Sequence, residues 1–231
     1  MAFVFLQVGN DPNVELMVES IKSSNPHSKI IQCSDSNTNK INGVSEVFRI
    51  SSDINNLMTF RLEAFAKLNI NEPAIYLDSD MLVLKKINIT DLLDGSEIAL
   101  CERSFGLNEV FNSSYGGMDL SEYFNMKIIN VYPILACFTI TKSNLFWTKC
   151  FENLLQIDKK YHKWYGDQEA IKNILKLKIF RYNLLKESQV ACLPEYFQIN
   201  DLPICLHFKG AKRKALMNKA YSILKQNSIL L

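Results

Sequence analysis

Short apolar runs alternate with helical patterns over the first eighty residues, and this alternation constrains the fold more than any other feature. Residues 3–8 (FVFLQV) form an apolar run that stops at Gly9, as a buried strand would. Asp11 can cap the helix that follows. The pattern recurs, with strand-like runs at residues 29–33, 47–50 and 74–77 and a helical pattern at residues 57–68. Strands and helices in this order predict an open, largely parallel sheet that is covered by helices.

The second half of the chain continues the alternation around one irregular stretch. Residues 108–125 contain two consecutive glycines, several serines and asparagines and two tyrosines, so we expect a loop over a site or a surface insertion. Further strand-like runs lie at residues 134–141 and 203–208, and helical patterns lie at residues 145–155, 168–177 and the final twenty. Because no repeat or linker divides the 231 residues, we expect a single α/β domain.

The charge of the chain is balanced overall but concentrated at one end. A formal net charge of +2 is too small to argue for a nucleic-acid partner. Residues 202–231 nevertheless hold six basic side chains and no acid. Such a basic C-terminal segment would suit an anionic ligand such as a diphosphate, or an acidic membrane surface.

The N-terminal residues and the cysteines indicate a cytoplasmic protein. The first residues are apolar only briefly and have no basic flank, so we expect no signal peptide. No apolar run approaches the length that crosses a bilayer. The six cysteines are scattered without a Cys-x-x-Cys pair, which favours reduced, mostly buried thiols over a zinc site or disulfides. Contact with the inner membrane face would then be peripheral, through the basic C-terminal segment.

Asp78 and Asp80 form the most distinctive short motif in the sequence. The strand-like run at residues 74–77 leads directly into them, and open α/β sheets bind ligands at the ends of such strands. Two carboxylates this close repel each other unless a proton or a cation intervenes, and a divalent metal that also contacts phosphate oxygens would remove the repulsion. A pair of surface acids at a turn is the alternative. A haloacid-dehalogenase phosphatase motif fits poorly, because Leu82 stands where that motif has Thr or Val.

A second group of candidates lies near the C-terminus. His207 ends a strand-like run and is followed by Gly210 and the basic C-terminal segment. An imidazole beside carboxylates makes a mixed nitrogen and oxygen site, which fits Mn²⁺ better than Mg²⁺. Gly210 would let the backbone approach a phosphate closely, and Lys212 or Arg213 would balance the phosphate charge. The solvated start of a basic helix is the alternative interpretation.

A third group is Tyr165-Gly166-Asp167-Gln168, which lies next to the helical pattern at residues 168–177. An Asp at a helix start is an ordinary N-cap, and this is the simpler interpretation of Asp167. In the functional interpretation, Asp167 and Gln168 lie beside a bound sugar and exchange hydrogen bonds with its hydroxyl groups.

Together these motifs resemble the retaining glycosyltransferases of the glycogenin and bacterial lipopolysaccharide-galactosyltransferase group, which are of the family 8 type. The strand and DxD acids in AIYLDSDMLVLKKI, the later YGDQ and the late HFKGAK occur in the same order as in that group. The resemblance implies the GT-A (nucleotide-diphospho-sugar transferase) fold, with a mixed, mostly parallel central sheet flanked by helices. It also implies a nucleotide-binding half at residues 1–101, an acceptor-side half at residues 102–201 and the basic C-terminal segment at residues 202–231.

The same resemblance implies roles for individual residues. Asp78, Asp80 and His207 would bind Mn²⁺ (or Mg²⁺), which holds the diphosphate of a UDP-sugar donor. Asp167 and Gln168 would be the catalytic residues that orient the sugar. The remaining donor-site candidates are Gln7, Val8, Gly9, Arg61, Lys67, Ser79, Gly210, Lys212 and Arg213.

Two stretches depart from the family pattern. The late motif of the family usually continues His-x-x-Gly-x-x-Lys-Pro-Trp, whereas this chain has Arg213, Lys214 and Ala215 in the last three places. The strand before the YGDQ helix commonly carries Asn-x-Gly, whereas this chain has Leu-Ala-Cys-Phe at residues 135–138. These departures keep a catalytically impaired protein that binds nucleotide or glycan as an alternative. A sugar nucleotidyltransferase is a further alternative, although the residues after the first strand lack a glycine-rich phosphate loop.

The expected function is transfer of a hexose from a UDP-sugar to an acceptor hydroxyl, with Mn²⁺ dependence and retained anomeric configuration. The acceptor is expected to be a glycan or a lipid-linked sugar, as in polysaccharide biosynthesis. No residue stands out in the sequence as a covalent nucleophile.

Overall fold

The computed structural model describes residues 1–51, 56–115 and 118–230. Its strands are β1 (Ala2–Leu6), β2 (Lys29–Ser34), β3 (Glu46–Arg49), β4 (Ala74–Leu77), β5 (Met81–Val83), β6 (Ile98–Glu102), β7 (Ser114–Tyr115), β8 (Met118–Asp119), β9 (Ile134–Thr141), β10 (Tyr182–Lys186) and β11 (Cys205–His207). Its α-helices are α1 (Asn13–Ser24), α2 (Leu57–Lys67), α3 (Ile89–Leu93), α4 (Ile128–Val131), α5 (Leu145–Gln156), α6 (Gly166–Lys176), α7 (Glu187–Val190), α8 (Ala211–Lys214) and α9 (Met217–Gln226).

The centre of the molecule is a seven-stranded sheet with the order β10-β6-β9-β4-β1-β2-β3. The pairs β1–β2, β1–β4, β2–β3 and β6–β10 are parallel. Strand β9 runs antiparallel to both of its neighbours, β4 and β6. The predicted mixed, mostly parallel sheet is therefore confirmed.

Each face of the central sheet is covered by helices, because the sheet is apolar on both sides. In β1, Phe3 and Phe5 pack into one hydrophobic cluster with α1 and α9, whereas Ala2 and Val4 pack into a second cluster with α2, α5 and α6. This division follows from the alternation of side chains along a strand. It explains why the first strand is a continuous apolar run in the sequence.

A small two-stranded sheet brings the end of the chain back to the acids that follow β4. Strand β11 pairs antiparallel with β5, and His207 lies opposite Met81 in the register. The Phe208 N–H donates to the Asp80 carbonyl oxygen at 2.9 Å. The register therefore places His207 next to Asp80.

Part of the irregular stretch at residues 108–125 packs into the fold. Strands β7 and β8 pair antiparallel, and Phe111, Met118 and Leu120 are buried in a third hydrophobic cluster. The glycine pair of this stretch, at residues 116 and 117, lies outside the described residues. The described part is a packed insertion that reaches the site described below.

Several details differ from the sequence expectations. Helix α6 begins at Gly166, so Tyr165 takes the N-cap position and Asp167 lies in the first turn. Strands β6 and β10, which the sequence pattern did not indicate, extend the sheet on the far side of β9. All six cysteines are buried free thiols, as predicted. Within the described residues, no helix combines the length and the apolar character that a membrane span requires.

Candidate active site

A cavity of about 900 Å³ lies at the carboxyl ends of β1 and β4. This is the edge at which parallel α/β sheets bind ligands, and the volume is typical of a small-molecule site. Most of the residues singled out in the sequence line the cavity. They are Gln7, Val8, Arg61, Asp78, Ser79, Asp80, Asp167, Gln168, His207, Gly210 and Arg213.

Asp78, Asp80 and His207 converge in this cavity. His207 Nε2 lies 3.3 Å from Asp80 Oδ1 and 3.8 Å from Asp78 Oδ2. One ligand atom from each of the three side chains lies within 4.8 Å of the others. Backbone hydrogen bonds fix the acids, since the Asp78 N–H donates to the Cys137 carbonyl oxygen at 3.0 Å.

This geometry fits a divalent cation. Ligand atoms at about 2.1 Å from an octahedral ion lie about 3 to 4 Å from one another. The distances from His207 Nε2 to the two carboxylates fall in this interval. Two carboxylates and one imidazole form the mixed oxygen and nitrogen ligand set that suits Mn²⁺.

The electrostatics of the cluster also favour a positive charge at its centre. Burial alone would lower the pKa of His207, but a hydrogen bond with the Cys137 thiol and the charge and hydrogen bond of Asp80 outweigh burial and raise this pKa well above its usual value. Burial alone would raise the pKa of Asp80, but His207 and Lys214 lower it. The acids of the cluster therefore favour a positive charge beside them, in the place where a cation would act.

Arg61 joins the acids of the cluster to helix α6. Its Nη1 pairs with Asp78 Oδ1 and its Nη2 pairs with Asp167 Oδ2. Asp167 is 1% exposed and Arg61 is 8% exposed. Because two carboxylates already hold the guanidinium of Arg61, this side chain supports the site and is less available to a phosphate than the sequence suggested.

Gln168 is held by a residue that sequence reasoning missed. Arg103 Nη2 donates to Gln168 Oε1 at 2.8 Å, and Arg103 Nε donates to the Tyr132 carbonyl oxygen at 2.9 Å. This arrangement leaves the Gln168 amide nitrogen without a hydrogen-bond partner among the described residues. Arg103 follows β6, a strand without a clear sequence signal, so its position could not be inferred from the chain alone.

Gly9, Lys67 and Lys212 lie outside the lining of the cavity. The Gly9 N–H donates to Thr38 Oγ1 at 2.7 Å, so this group is already used within the protein. Lys67 lies six residues after Arg61 and therefore on another side of α2. It is exposed there and pairs with Glu63. Lys212 is exposed, whereas Arg213 and Lys214 on the same short helix line the cavity.

The two cations of α8 that line the cavity have acidic partners. Arg213 donates from Nε to both carboxylate oxygens of Glu195, at 3.1 and 2.9 Å. Lys214 pairs with Asp11, which also lines the cavity. Lys209, two residues after His207, lines the cavity and forms no ion pair within the described part of the chain. Its place in the cationic run after His207 was the only sequence signal for it.

Cys137 is the thiol that lines the cavity. Its pKa is raised well above the usual value, first by a hydrogen bond with Cys101 and then by burial. The thiol is therefore protonated at neutral pH and is a poor nucleophile.

The sheet order and the acids at the end of β4 define the GT-A fold, and solved glycosyltransferases share it. GlyE of Streptococcus pneumoniae TIGR4 aligns with a TM-score of 0.61 and 16% identity, over 99% of this chain and 64% of the GlyE chain. A glycosyltransferase involved in the glycosylation of the major capsid of PBCV-1 aligns with a TM-score of 0.57 and 16% identity, over 96% of this chain and 100% of that chain. An active-site mutant of LgtC aligns with a TM-score of 0.55 and 15% identity, over 95% of this chain and 96% of that chain.

These alignments confirm the fold that the sequence motifs predicted and the resemblance to GT-A glycosyltransferases. No protein-family model and no curated protein sequence matches the chain. The chain spans less than two thirds of the length of the GlyE chain.

Proposed function

We propose that the protein is a metal-dependent glycosyltransferase that moves a hexose from a UDP-sugar to an acceptor hydroxyl, with retention of configuration. The observation that carries this proposal is the convergence of Asp78, Asp80 and His207 at the end of β4, in a large cavity of a GT-A fold. These three side chains would hold Mn²⁺ or Mg²⁺. When bound, the cation neutralises the charge that develops on the departing diphosphate.

The nucleotide would lie against the end of β1. Gln7 and Val8 line the cavity there, and Gln7 donates from Nε2 to the Gly9 carbonyl oxygen at 3.0 Å. Ser79 lies between the two metal-binding acids and faces the same cavity. In this arrangement residues 1–101 supply most of the donor site, and residues 102–201 supply the acceptor side.

The diphosphate would be neutralised by Lys209 more than by Lys212 or Arg213. Lys212 does not line the cavity, and Glu195 already balances Arg213. A cation without an acidic partner adds more attraction for an anion, because no existing ion pair has to be broken. Gly210, with φ of +85°, keeps the backbone next to Lys209 free of a side chain.

Asp167 and Gln168 would orient the donor sugar. Arg61 holds one oxygen of Asp167 and the Gln168 N–H donates to the other at 2.7 Å, but a carboxylate has lone pairs enough to accept a further hydrogen bond from a sugar hydroxyl. Because Arg103 occupies the Gln168 amide oxygen, the amide nitrogen is oriented to donate to the sugar. Both groups would act at fixed positions, which favours stabilisation of the transition state without reorganisation.

Release of UDP from UDP-glucose or UDP-galactose tests the proposal. We expect slow, Mn²⁺-dependent hydrolysis of one of these donors, which is lost when EDTA removes the metal. Tight UDP binding without hydrolysis or transfer would favour the alternative, a catalytically impaired binding protein. That alternative is supported by Leu135, Ala136 and Cys137, which line the cavity where the family commonly has Asn-x-Gly. Absence of both UDP binding and hydrolysis would contradict the proposal.

The basic C-terminal segment would bring the protein to an anionic membrane or to a lipid-linked acceptor. Leu216 and Ile223, which lie in the helical pattern of the final twenty residues, are 53% and 46% exposed. Met217 and Leu224 form the buried side instead. With the exposed Lys219 between them at helical spacing, Leu216 and Ile223 form an apolar and cationic strip of the kind that binds membrane interfaces.

A further inference from the structure

Two aromatic rings stack on each other at the rim of the cavity. The residues that carry them are far from Asp78 and Asp80 in the sequence. The ring centroids of Phe105 and Tyr196 lie 4.4 Å apart, and their planes are inclined by only 3°. Both residues line the main cavity and a second depression of about 550 Å³ beside it. Tyr196 is 55% exposed, which leaves much of its ring accessible. The stacked pair therefore forms a flat aromatic platform between two connected cavities.

The loop that carries Phe105 is held by a buried carboxylate. Glu187 is 2% exposed, and its Oε2 accepts hydrogen bonds from the backbone N–H groups of Ser104 and Phe105, at 2.6 and 2.7 Å. Within the described residues Glu187 has no cationic partner. Its charge is therefore balanced mainly by these N–H groups, and the backbone of Phe105 is fixed in return.

Arg213 holds the turn that carries Tyr196. Glu195 directly precedes Tyr196 in the chain, and both of its carboxylate oxygens accept hydrogen bonds from Arg213 Nε. Arg213 also donates from Nη1 to the Lys209 carbonyl oxygen at 3.1 Å, so the turn is tied to the segment after His207. Arg213 thus orients the platform, a role different from the phosphate contact that the sequence suggested.

A carboxylate lies beside the platform. Gly106 adopts φ of +72°, and the Glu109 N–H donates to the Gly106 carbonyl oxygen at 2.9 Å, which closes a tight turn. The Glu109 carboxylate folds over Gly106 so closely that a Cβ there would lie 2.7 Å from its carboxyl carbon. Glu109 lines both cavities and forms no ion pair within the described chain. The loop therefore presents an available hydrogen-bond acceptor next to the stacked rings.

An aromatic face beside a carboxylate matches the chemistry of a pyranose ring. The face of an aromatic ring is electron-rich, so it attracts the C–H groups on the apolar face of a sugar. A carboxylate accepts hydrogen bonds from sugar hydroxyls and repels an acidic sugar. We propose that Phe105, Tyr196 and Glu109 form the acceptor subsite and that the acceptor is a neutral hexopyranoside.

This inference rests on the proposed function, and the position of the platform supports it. The platform belongs to the same cavity as Asp78, Asp80 and His207, so a sugar on the rings can direct a hydroxyl toward a donor held at the metal site. The second depression would then accommodate the rest of an extended glycan. The acceptor would enter from the side of residues 102–201.

Comparison of donor hydrolysis with transfer tests the subsite. UDP release from UDP-glucose and UDP-galactose with Mn²⁺ is measured alone and with lactose, maltose, cellobiose or methyl hexopyranosides. For Tyr196→Ala and Glu109→Gln we expect unchanged hydrolysis without acceptor and an acceptor KM raised about tenfold, as the loss of one stacking contact or hydrogen bond predicts. Tyr196→Phe, which keeps the ring, should resemble the wild type.

Tyr182→Ala is the matched control, because Tyr182 is 43% exposed on β10 and does not line the cavity. The subsite is wrong if Tyr196→Ala and Tyr182→Ala have the same acceptor KM. It is also wrong if no neutral hexopyranoside stimulates a wild-type protein that hydrolyses the donor. A wild-type protein that neither binds UDP nor hydrolyses the donor overturns the proposed function itself, and the subsite with it.

Discussion

Arg61 and Asp167 form a buried ion pair beside the cavity, and Asp78 holds the other nitrogen of the same guanidinium. The arrangement ties α2 and α6 to the end of β4. The orientation of Asp78, which we propose as a metal ligand, therefore depends on a guanidinium that two carboxylates hold. Removal of this cation would leave a buried negative charge at Asp167 without compensation.

We predict that Arg61→Met lowers the free energy of unfolding by about 3 to 5 kcal/mol, because breaking a buried ion pair leaves its partner uncompensated. Urea denaturation measures the effect. Lys67→Met on the same helix is the control, since Lys67 is exposed, and surface changes of this kind stay within about 0.5 kcal/mol. Equal stability of the two variants would show that the pair contributes little.

The structure separates two lysines that the sequence could not distinguish. Lys209→Gln should weaken Mn²⁺-dependent UDP binding by about fivefold to tenfold, as expected for one exposed charge near a diphosphate. Lys212→Gln should leave it unchanged, because Lys212 lies outside the cavity. Calorimetry at low and at high salt measures both variants, and the effect at Lys209 should shrink as salt screens the charge. A larger loss at Lys212 than at Lys209 would contradict the assignment.

Glu187 is predicted to hold the loop that carries Phe105. Glu187→Ala leaves the N–H groups of Ser104 and Phe105 without their acceptor, which costs about 1 to 3 kcal/mol for each buried donor. Hydrogen exchange at these two amides should accelerate, whereas Glu187→Gln, which keeps an acceptor oxygen, should restore part of the protection. Unchanged exchange in Glu187→Ala would mean that the loop is held by other contacts.

The exposed strip on α9 predicts membrane binding that depends on both charge and apolar surface. The wild type should sediment with vesicles that contain anionic lipid and should not sediment with purely zwitterionic vesicles. The double variant Leu216→Ser with Ile223→Ser should bind less. Leu155→Ser on α5 is the control, because Leu155 is 61% exposed far from the basic segment in the sequence. Vesicle binding that survives the double variant would argue against this surface.

The sequence was informative where local pattern determines structure. The run at residues 134–141 became β9 without change in its bounds, and the run at residues 74–77 became β4. The meeting of His207 with Asp78 and Asp80 followed from the family resemblance, and pairing of β5 with β11 brings it about. Strands with a continuous apolar run are visible in a sequence because both of their faces are buried.

The sequence did not predict which side chains from distant parts of the chain contact each other. The spacing of a helix shows which residues share a side, but it did not show that Arg61 would face the cavity while Lys67 faces solvent. Glu187 and Phe105 lie far apart in the chain and meet because β10 pairs with β6. The sequence suggested Arg213 as a phosphate ligand, whereas the structure pairs it with Glu195. Such contacts are set by tertiary packing.

We infer that Asp78, Asp80 and His207 hold a cation that binds the diphosphate of a sugar nucleotide. Calorimetry of UDP binding to the wild type and to Asp80→Asn, each with and without Mn²⁺, tests it most directly. We expect Mn²⁺ to strengthen UDP binding by the wild type and to have no effect on Asp80→Asn, provided that both proteins show the same circular dichroism spectrum. Equal Mn²⁺-dependent affinity in the two proteins would mean that Asp80 does not hold the cation.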